Sequence, residues 1–155
     1  MEIRRAKKED LSAVGALLRQ VLEVHHRGRP DLFSGGGKKY GDGEILAIFA
    51  DDARPVFVAE EDGRVLGYAF CQFRQVKDSP ILTDVKTLYL DDLCVDEAAR
   101  GRGVGKALFR FVRDYARREG CHNLTLNVWS CNPGALAFYE KCGLLPQKIT
   151  METIL

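Results

Sequence analysis

One stretch of the chain, Leu90–Leu108, constrains the fold more than any other. The end of a β-rich run comes first, the turn Arg-Gly-Arg-Gly-Val-Gly follows, and an apolar pattern typical of a helix continues without a proline. This order gathers the N–H groups of the turn and the unpaired N–H groups of the first helical turn around one point. We therefore predict a phosphate site there, since the helix dipole and the side chains of Arg100, Arg102 and Lys106 favour an anion.

The spacing of the glycines excludes the two common nucleotide loops. A dinucleotide fingerprint requires GxGxxG near the start of a βαβ unit, and a P-loop requires GxxxxGK followed by Ser or Thr. Here the spacing is GxGxG over Gly101–Gly105, and Ala107 stands where a P-loop has its hydroxyl residue. The predicted phosphate ligand therefore belongs to another class of molecule.

The bulk composition is that of one globular domain, which we expect to cover residues 1–155. A chain of 155 residues with 46% hydrophobic and 29% charged residues can bury a core without disulfides. A net charge of +1, from 23 basic and 22 acidic residues, does not favour nucleic acid as a partner. No apolar run is long enough for a membrane span, and Met1–Arg5 does not resemble a signal peptide. We expect a cytoplasmic protein without a membrane partner.

The five cysteines are odd in number and have neither CxxC nor Cys/His metal-ligand spacing. We therefore expect no metal site, and we interpret most of the cysteines as small buried apolar residues in a reducing compartment. The neighbours Cys121 and His122 leave a catalytic cysteine open as an alternative.

Hydrophobic periodicity and turn residues predict the order of the elements. The predicted strands are Glu2–Ala6, Pro55–Glu61, Arg64–Val76, Thr87–Val95, His122–Trp129 and Gln147–Leu155, and the predicted helices begin near Leu11, Glu44, Val104 and Pro133. The strand, helix, strand order around the glycine turn implies a right-handed crossover between parallel neighbours. A polar, glycine-rich loop of the length of Arg29–Gly43 is usually functional or mobile.

Two motifs carry a resemblance to a known family. Arg100, Gly103 and Gly105 match the acetyl-coenzyme A loop of the GNAT superfamily of N-acetyltransferases, in which Gln or Arg is followed by two residues, Gly, one residue, and Gly or Ala. Asn132 and the run Phe138–Leu144 resemble the closing motif of the same superfamily. The resemblance implies an α/β (α+β) fold whose mixed central sheet has six to seven strands, splayed between the fourth and fifth and flanked by four helices.

The resemblance also implies how acetyl-coenzyme A would bind. In this family two adjacent parallel strands separate and the pantetheine arm inserts between them; by position these strands are Leu88–Val95 and Asn123–Trp129 here. The implied cofactor-binding residues are Leu93, Cys94 and Val95 along the pantetheine, Arg100, Gly101, Arg102, Gly103, Val104, Gly105 and Lys106 at the pyrophosphate, and Asn132 and Tyr139 on the far side.

Acetyl transfer to an amine requires few protein groups. An alkylamine with a pKa of about 10.4 must lose a proton before it attacks, and the departing thiolate gains from a proton donor. Tyr139 falls on the family's tyrosine and is our candidate general acid, with a core aromatic beside Phe138 as the alternative. Asp91 takes the place of a glutamate that is implicated as the base in the similar run of the polyamine acetyltransferases.

Alternation along the strand separates the two neighbouring acids. It places Asp91 on one face and Asp92 on the other, so at most one acid faces the thioester unless a β-bulge intervenes. We prefer Asp91 as the general base, and the alternatives are Asp92, a water chain, or a substrate-binding role for Asp91.

The sequence leaves three functions open. The leading one is an N-acetyltransferase that acts on a primary amine of a small molecule, such as a polyamine, an amino acid or an aminoglycoside-like compound. The second is a protein lysine or N-terminal acetyltransferase; Asn127 argues against the N-terminal type, because the ribosomal-protein enzymes have a glutamate base there and an amide is no base. The third is an acyl-coenzyme A sensor without turnover. A homodimer is expected from the family.

Few residues of the first third of the chain point to an acceptor. Asp31 and Glu44 are acids that could attract a cationic amine, although surface acids are usually only solvated. His25 and His26 could contact a substrate or act as a base, but paired histidines at a helix end more often satisfy the helix carbonyls.

Overall fold

A computed structural model describes residues 1–155 as a mixed five-stranded sheet with helices on both faces. The strands are β1 (Glu2–Arg5), β2 (Val56–Glu61), β3 (Arg64–Arg74), β4 (Thr87–Val95) and β5 (Asn123–Leu126). The helices are α1 (Leu11–Gly28), α2 (Asp42–Phe49), α3 (Val104–Arg118) and α4 (Pro133–Lys141), with 3-10 turns at Lys8–Asp10 and Glu97–Ala99. The α+β class and the four helices confirm the prediction.

The strands follow one another across the sheet in chain order. β1 to β4 pair antiparallel, and β4 and β5 pair parallel. The parallel ladder ends where Leu90 lies opposite Leu126, whereas β4 continues to Val95 with β3 as its only partner. The sheet therefore opens between the fourth and fifth strands, as predicted.

Two clusters of buried side chains lie on opposite faces of the sheet. The first contains Leu88 of β4 and Leu108 of α3, and we call its side the α3 face. The second contains Leu18 of α1, Ile45 of α2 and Tyr68 of β3, and we call its side the α1–α2 face. No helix has both the length and the apolar character required to cross a membrane.

The predicted terminal strand Gln147–Leu155 is wrong, and the sheet has five strands instead of six to seven. Alternating apolar residues form a strand only where another strand accepts their backbone hydrogen bonds. In this tail the ion pair between Arg29 and Glu152 provides a contact to the end of α1. The side chains of Ile149 and Met151 stay exposed.

Other boundaries also differ from the prediction. β1 ends at Arg5 and not at Ala6, β2 begins at Val56 and not at Pro55, and β3 ends at Arg74 and not at Val76. The strand expected at His122–Trp129 ends at Leu126, because β4 and β5 separate there. The helix expected from Glu44 begins two residues earlier, since the Glu44 carboxylate accepts a hydrogen bond of 3.0 Å from the Gly41 N–H and satisfies a free donor at the helix start.

Candidate active site

A β-bulge in β4 decides where the two neighbouring acids point. Asp92 lies opposite Phe70, and Leu90 lies opposite Cys71, so Asp91 is an extra residue without a partner on β3. Such a residue breaks the alternation of side chains along the strand. Asp91 and Asp92 both contact tyrosines of the α1–α2 face, which corrects the expectation that they point to opposite faces.

Asp91 is held by the loop that precedes α2. Its Oδ2 atom accepts hydrogen bonds from the Tyr40 hydroxyl at 2.6 Å and from the Lys39 ammonium at 2.7 Å. The Oδ1 atom has no partner in the protein, and the side chain is 22% exposed. Burial and the neighbouring Asp91 raise the pKa of Tyr40, so its hydroxyl stays protonated and remains a donor.

Asp92 lies deeper in the same face. Its Oδ2 atom accepts a hydrogen bond of 2.8 Å from the hydroxyl of Tyr68, which is fully buried. Burial raises the pKa of Asp92 to about 6, against the opposing effects of the Tyr68 hydrogen bond and the charge of Lys39. A carboxyl group with such a pKa can exchange a proton near neutral pH.

The open edge of β4 presents backbone groups of Leu93 and Val95. The Asp96 N–H donates to the Leu66 carbonyl at 2.9 Å, so Asp96 faces β3. Because backbone direction alternates in an antiparallel pair, Cys94 also faces β3, and the residues on either side of it face the gap left by β5.

The expectation that Cys94 binds along the pantetheine disagrees with this arrangement. Its backbone pairs with β3, and its buried thiol donates to the Leu17 carbonyl at 3.6 Å, which leaves no group of Cys94 at the open edge. Burial also raises the pKa of this thiol to about 12. At the edge itself, the Val95 carbonyl accepts a hydrogen bond from Arg100 Nε at 3.4 Å.

The glycine turn brings free backbone donors to the end of this gap. Gly101 and Gly103 have φ values of +78° and +81°, which glycine adopts without strain, and no atom would contact a Cβ at either position. The Ala107 N–H is bonded to the Gly103 carbonyl at 3.0 Å, as the first bond of α3. The N–H groups of residues 104–106 therefore have no intrahelical partner.

Gly105 lies where α3 faces the sheet. A Cβ at this position would lie 3.4 Å from Cγ2 of Val95 and 3.6 Å from the ring of Phe138, which are ordinary van der Waals contacts. An alanine would therefore fit, and only a larger side chain would have to displace these groups.

The three cations of the turn have different partners. Arg102 forms an ion pair with Glu61, and Arg100 lies 3.7 Å from the Glu97 carboxylate. Lys106 is exposed and has no acidic partner. It is therefore the cation of the turn whose charge is not offset by an acid.

Tyr139 lies on α4, beside the gap. Its ring packs against Phe109 and Phe138, with centroids 5.9 Å and 5.1 Å apart, and its hydroxyl has no hydrogen-bond partner in the protein. Burial and the charge of Asp92 raise the pKa of Tyr139, which keeps the phenol protonated at neutral pH. A free, protonated phenol is a proton donor without a structural task.

Asn132 begins α4. Its Oδ1 atom accepts a hydrogen bond of 3.2 Å from the Ala135 N–H, so the side chain caps the helix. The Nδ2 group stays available to a ligand.

The histidines at the end of α1 hold the loop of residues 29–43. His25 stacks on Phe33 with ring centroids 5.0 Å apart, and Phe33 meets Trp129 edge-on at 5.1 Å. His26 Nδ1 lies 2.6 Å from the Phe33 carbonyl oxygen. Burial and the charge of Lys39 lower the pKa of His25. These contacts give both histidines a structural role.

Sequence reasoning missed the partners of the two acids, Lys39, Tyr40 and Tyr68. The only signal for the first two was the length of their loop, and Tyr68 had the pattern of a core residue. The catalytic-cysteine alternative finds no support, because burial raises the pKa of Cys121 and disfavours the thiolate.

The comparison with protein families agrees with this geometry. The model described as "Acetyltransferase (GNAT) family" matches residues 18–144. The chain belongs to the GNAT family. Acetyl-coenzyme A is the acetyl donor of this family.

Individual GNAT relatives differ in how much of them the chain covers. It is 31% identical over 144 residues to "Uncharacterized N-acetyltransferase YhfO" of Bacillus subtilis, which is 92% of this chain and 89% of the relative. It is 38% identical over 63 residues to "Glucosamine 6-phosphate N-acetyltransferase 1" of rice, which is 41% of this chain. The chain spans only 36% of that relative's length.

Solved structures share the whole fold. A single-site mutant of the BH1408 protein from Bacillus halodurans superposes with a TM-score of 0.96 at 31% identity, over 100% of this chain and 99% of that one. The aminoglycoside N-acetyltransferase AAC(6')-Iy, solved in complex with CoA, superposes with a TM-score of 0.72 at 19% identity, over 99% and 98% of the two chains. The second likeness supports the fold alone.

The residues of this GNAT chain fit acetyl-coenzyme A. The free N–H groups of residues 104–106, the open space above Gly101 and Gly103, and the charge of Lys106 suit a pyrophosphate. The edge at Leu93 and Val95, which has no strand partner on the side of β5, suits the amides of pantetheine.

Proposed function

We propose that this protein transfers the acetyl group of acetyl-coenzyme A to a primary amine of a small molecule. Two observations carry the proposal. A bulge turns Asp91 and Asp92 to one face of β4, directly after the ladder with β5 ends, and the Tyr139 hydroxyl on α4 has no partner in the protein while the charge of Asp92 helps to raise its pKa. A protein that only binds acyl-coenzyme A would not need this phenol. A buried phenol with a purely structural role would have a hydrogen-bond partner. When bound, acetyl-coenzyme A supplies an acetyl group activated as a thioester.

The cofactor-binding residues in this proposal are those of the turn and the open edge. The pyrophosphate would lie against Arg100–Lys106, with the first-turn N–H groups and Lys106 as donors. Leu93 and Val95 would pair with pantetheine, and Asn132 Nδ2 would donate from the opposite side. Cys94 would contribute only as a residue of strand β4 and would not itself contact the cofactor.

Asp91 is the general base in this proposal. Its Oδ1 atom has no partner in the protein, while Oδ2 is fixed by Lys39 and Tyr40. An amine bonded to Oδ1 is oriented and can lose its proton to the same group. The pKa of about 6 favours Asp92 as a second candidate for this step.

Tyr139 is the general acid. Its hydroxyl is free to donate, and its raised pKa keeps the proton in place until the thiolate departs. The charge of Asp92 contributes to the raised pKa of this hydroxyl.

A small-molecule acceptor is supported by the name of the rice relative, an enzyme for glucosamine 6-phosphate. Which amine is acetylated is part of the proposal. We also propose that residues 1–155 act as one catalytic unit in the cytoplasm, and that two copies associate; light scattering of the purified protein tests the association.

Turnover assays test the proposed function. Release of free coenzyme A thiol is measured with acetyl-coenzyme A and panels of small amines and of peptides with lysine or free amino termini. We expect release with small amines and none with peptides. Tight binding of acetyl-coenzyme A by calorimetry with no release for any acceptor would refute the enzyme and favour a sensor.

The pH dependence of two variants separates the candidate bases. Asp91→Asn should depress kcat/KM most at low pH, where the amine most needs deprotonation. An equal loss at every pH would assign Asp91 to substrate binding, and the pH-dependent loss in Asp92→Asn would then make Asp92 the base.

A further inference from the structure

A cavity of about 130 Å³ lies directly beside Asp91 on the α1–α2 face. It is lined by Tyr40, Ile48, Arg54, Phe70, Cys71, Gln72 and Asp91. Pockets for whole drug-sized ligands have volumes of roughly 300–1,000 Å³, so this cavity has room for one end of an acceptor.

Two charged side chains of opposite sign line this cavity. They are the Asp91 carboxylate, with its free Oδ1 atom, and the guanidinium of Arg54. Arg54 Nε is paired with Asp51 at 2.7 Å, but the two terminal Nη groups have no carboxylate partner. The charge of Arg54 also acts on the Tyr40 hydroxyl, which places it within electrostatic reach of the hydrogen bond to Asp91.

Gln72 adds a neutral donor to the lining of the cavity. Its Oε1 atom accepts two hydrogen bonds of 3.3 Å from Arg74. Because a guanidinium has only donors, this contact fixes the orientation of the amide, with its oxygen toward Arg74. The Nε2 group of Gln72 is therefore free. Arg74 itself lies 3.5 Å from the ring centroid of Tyr89 and has no acidic partner, which adds a further uncompensated cation to this side of the sheet.

The acids of this region offer little to a second cation. Asp31 is bound by Arg29 at 2.7 Å, and Glu44 accepts from the Gly41 N–H. Asp91 is the one carboxylate in the lining of the cavity. A polyamine would therefore find no second carboxylate there for its second ammonium group, whereas an anion would find free donors of Arg54.

We propose that the acceptor carries an anionic group, a carboxylate or a phosphate, in addition to its amine, and that Arg54 and Gln72 bind this group while Asp91 receives the amine. This inference rests on the proposed function and narrows the small amines to amino acids and phosphorylated or acidic amino sugars. Arg54 is a specificity-determining residue in this arrangement, since a fork of two Nη donors matches the oxygens of either anion.

Matched pairs of amines test the inference. Lysine is compared with cadaverine, which lacks only the carboxylate, and glucosamine 6-phosphate with glucosamine, which lacks only the phosphate. We expect the anionic member to have a kcat/KM at least about tenfold higher, the value of one charge-assisted hydrogen bond. A preference in only one pair identifies the anion as carboxylate or phosphate. Equal use of both members of both pairs, or a preference for cadaverine, overturns the proposal.

Variants connect the preference to the cavity. Arg54→Gln should reduce the ratio of kcat/KM between the anionic amine and its neutral counterpart about tenfold, chiefly by raising KM for the anionic amine. Arg54→Lys should retain part of this ratio. Arg110→Gln, on the exposed side of α3, is the matched control and should keep the ratio. Melting curves confirm folding. An unchanged ratio in folded Arg54→Gln overturns the assignment of Arg54.

A binding measurement separates this inference from the proposed function. Calorimetry with coenzyme A-loaded protein gives the affinity for glucosamine 6-phosphate, glucosamine, lysine and cadaverine without any turnover. If no amine is acetylated but the anionic members bind more tightly and Arg54→Gln removes the difference, the proposed function is refuted and the anion site stands. If amines are acetylated but the anionic members bind no more tightly than the neutral ones, the proposed function stands and the anion site is refuted.

Discussion

The hydroxyl of Tyr40 donates a hydrogen bond of 2.6 Å to Oδ2 of Asp91, a residue 51 positions further along the chain. This bond fastens the loop before α2 to the bulge in β4. The other oxygen of Asp91 has no partner in the protein. In the proposed function, the loop and the strand together therefore determine how Asp91 meets an amine.

Tyr40→Phe should impair acceptor binding. The substitution removes one hydrogen bond to a carboxylate, so we expect an increase in KM for the amine of about tenfold, while the Kd for coenzyme A stays the same. Steady-state kinetics and calorimetry measure both. Tyr115→Phe removes a phenol on the far side of the sheet and serves as the control; an equal effect of both substitutions would contradict the assigned role of Tyr40.

Tyr139→Phe should slow turnover and leave cofactor binding almost intact. Loss of a general acid lowers kcat by about 100-fold or more. The ring contacts with Phe109 and Phe138 are kept, so the melting temperature should change little. Unchanged kcat would show that Tyr139 is only a packing residue.

Asp92→Asn should stabilise the protein at neutral pH. Asp92 has a folded pKa of about 6, above its ordinary value of 3.8, so its ionisation costs free energy in the folded state at neutral pH, and this cost is lost as the pH falls below the ordinary value. We expect a free energy of unfolding higher by about 1–3 kcal/mol at pH 7 and no gain at pH 4. Urea unfolding at both pH values measures it, with the exposed Asp78→Asn as control. A gain of equal size at both would contradict the assigned pKa.

Gly103→Ala should weaken the binding of coenzyme A. A residue with a Cβ pays about 1–2 kcal/mol at a φ of +81°, and the turn can avoid this cost only by moving its N–H groups. Calorimetry should show a Kd about tenfold higher or more. Gly43→Ala in α2 has no positive φ and no nearby atom, and it should leave the Kd unchanged. Equal Kd values for both variants would refute the role of the turn.

Part of this protein was predictable because it depends on neighbours in the chain. The glycine turn between Val95 and Val104, the amphipathic pattern of α3 and the Asn-Pro start of α4 act over a few residues, so the sequence alone indicated the phosphate-binding turn, the parallel crossover and the GNAT family. The opening between β4 and β5 also followed, through the resemblance.

Only the tertiary structure decided what surrounds the two acids. A single extra residue at Asp91 reverses the alternation of β4, and the sequence contains no sign of it, because the bulge depends on the register with β3. Tyr40 contacts Asp91, and Arg54 lines the cavity beside Asp91, although both residues are distant from Asp91 along the chain. The predicted strand at Gln147–Leu155 failed for the same reason: a strand requires a partner edge, and whether one is available depends on how the whole chain is folded.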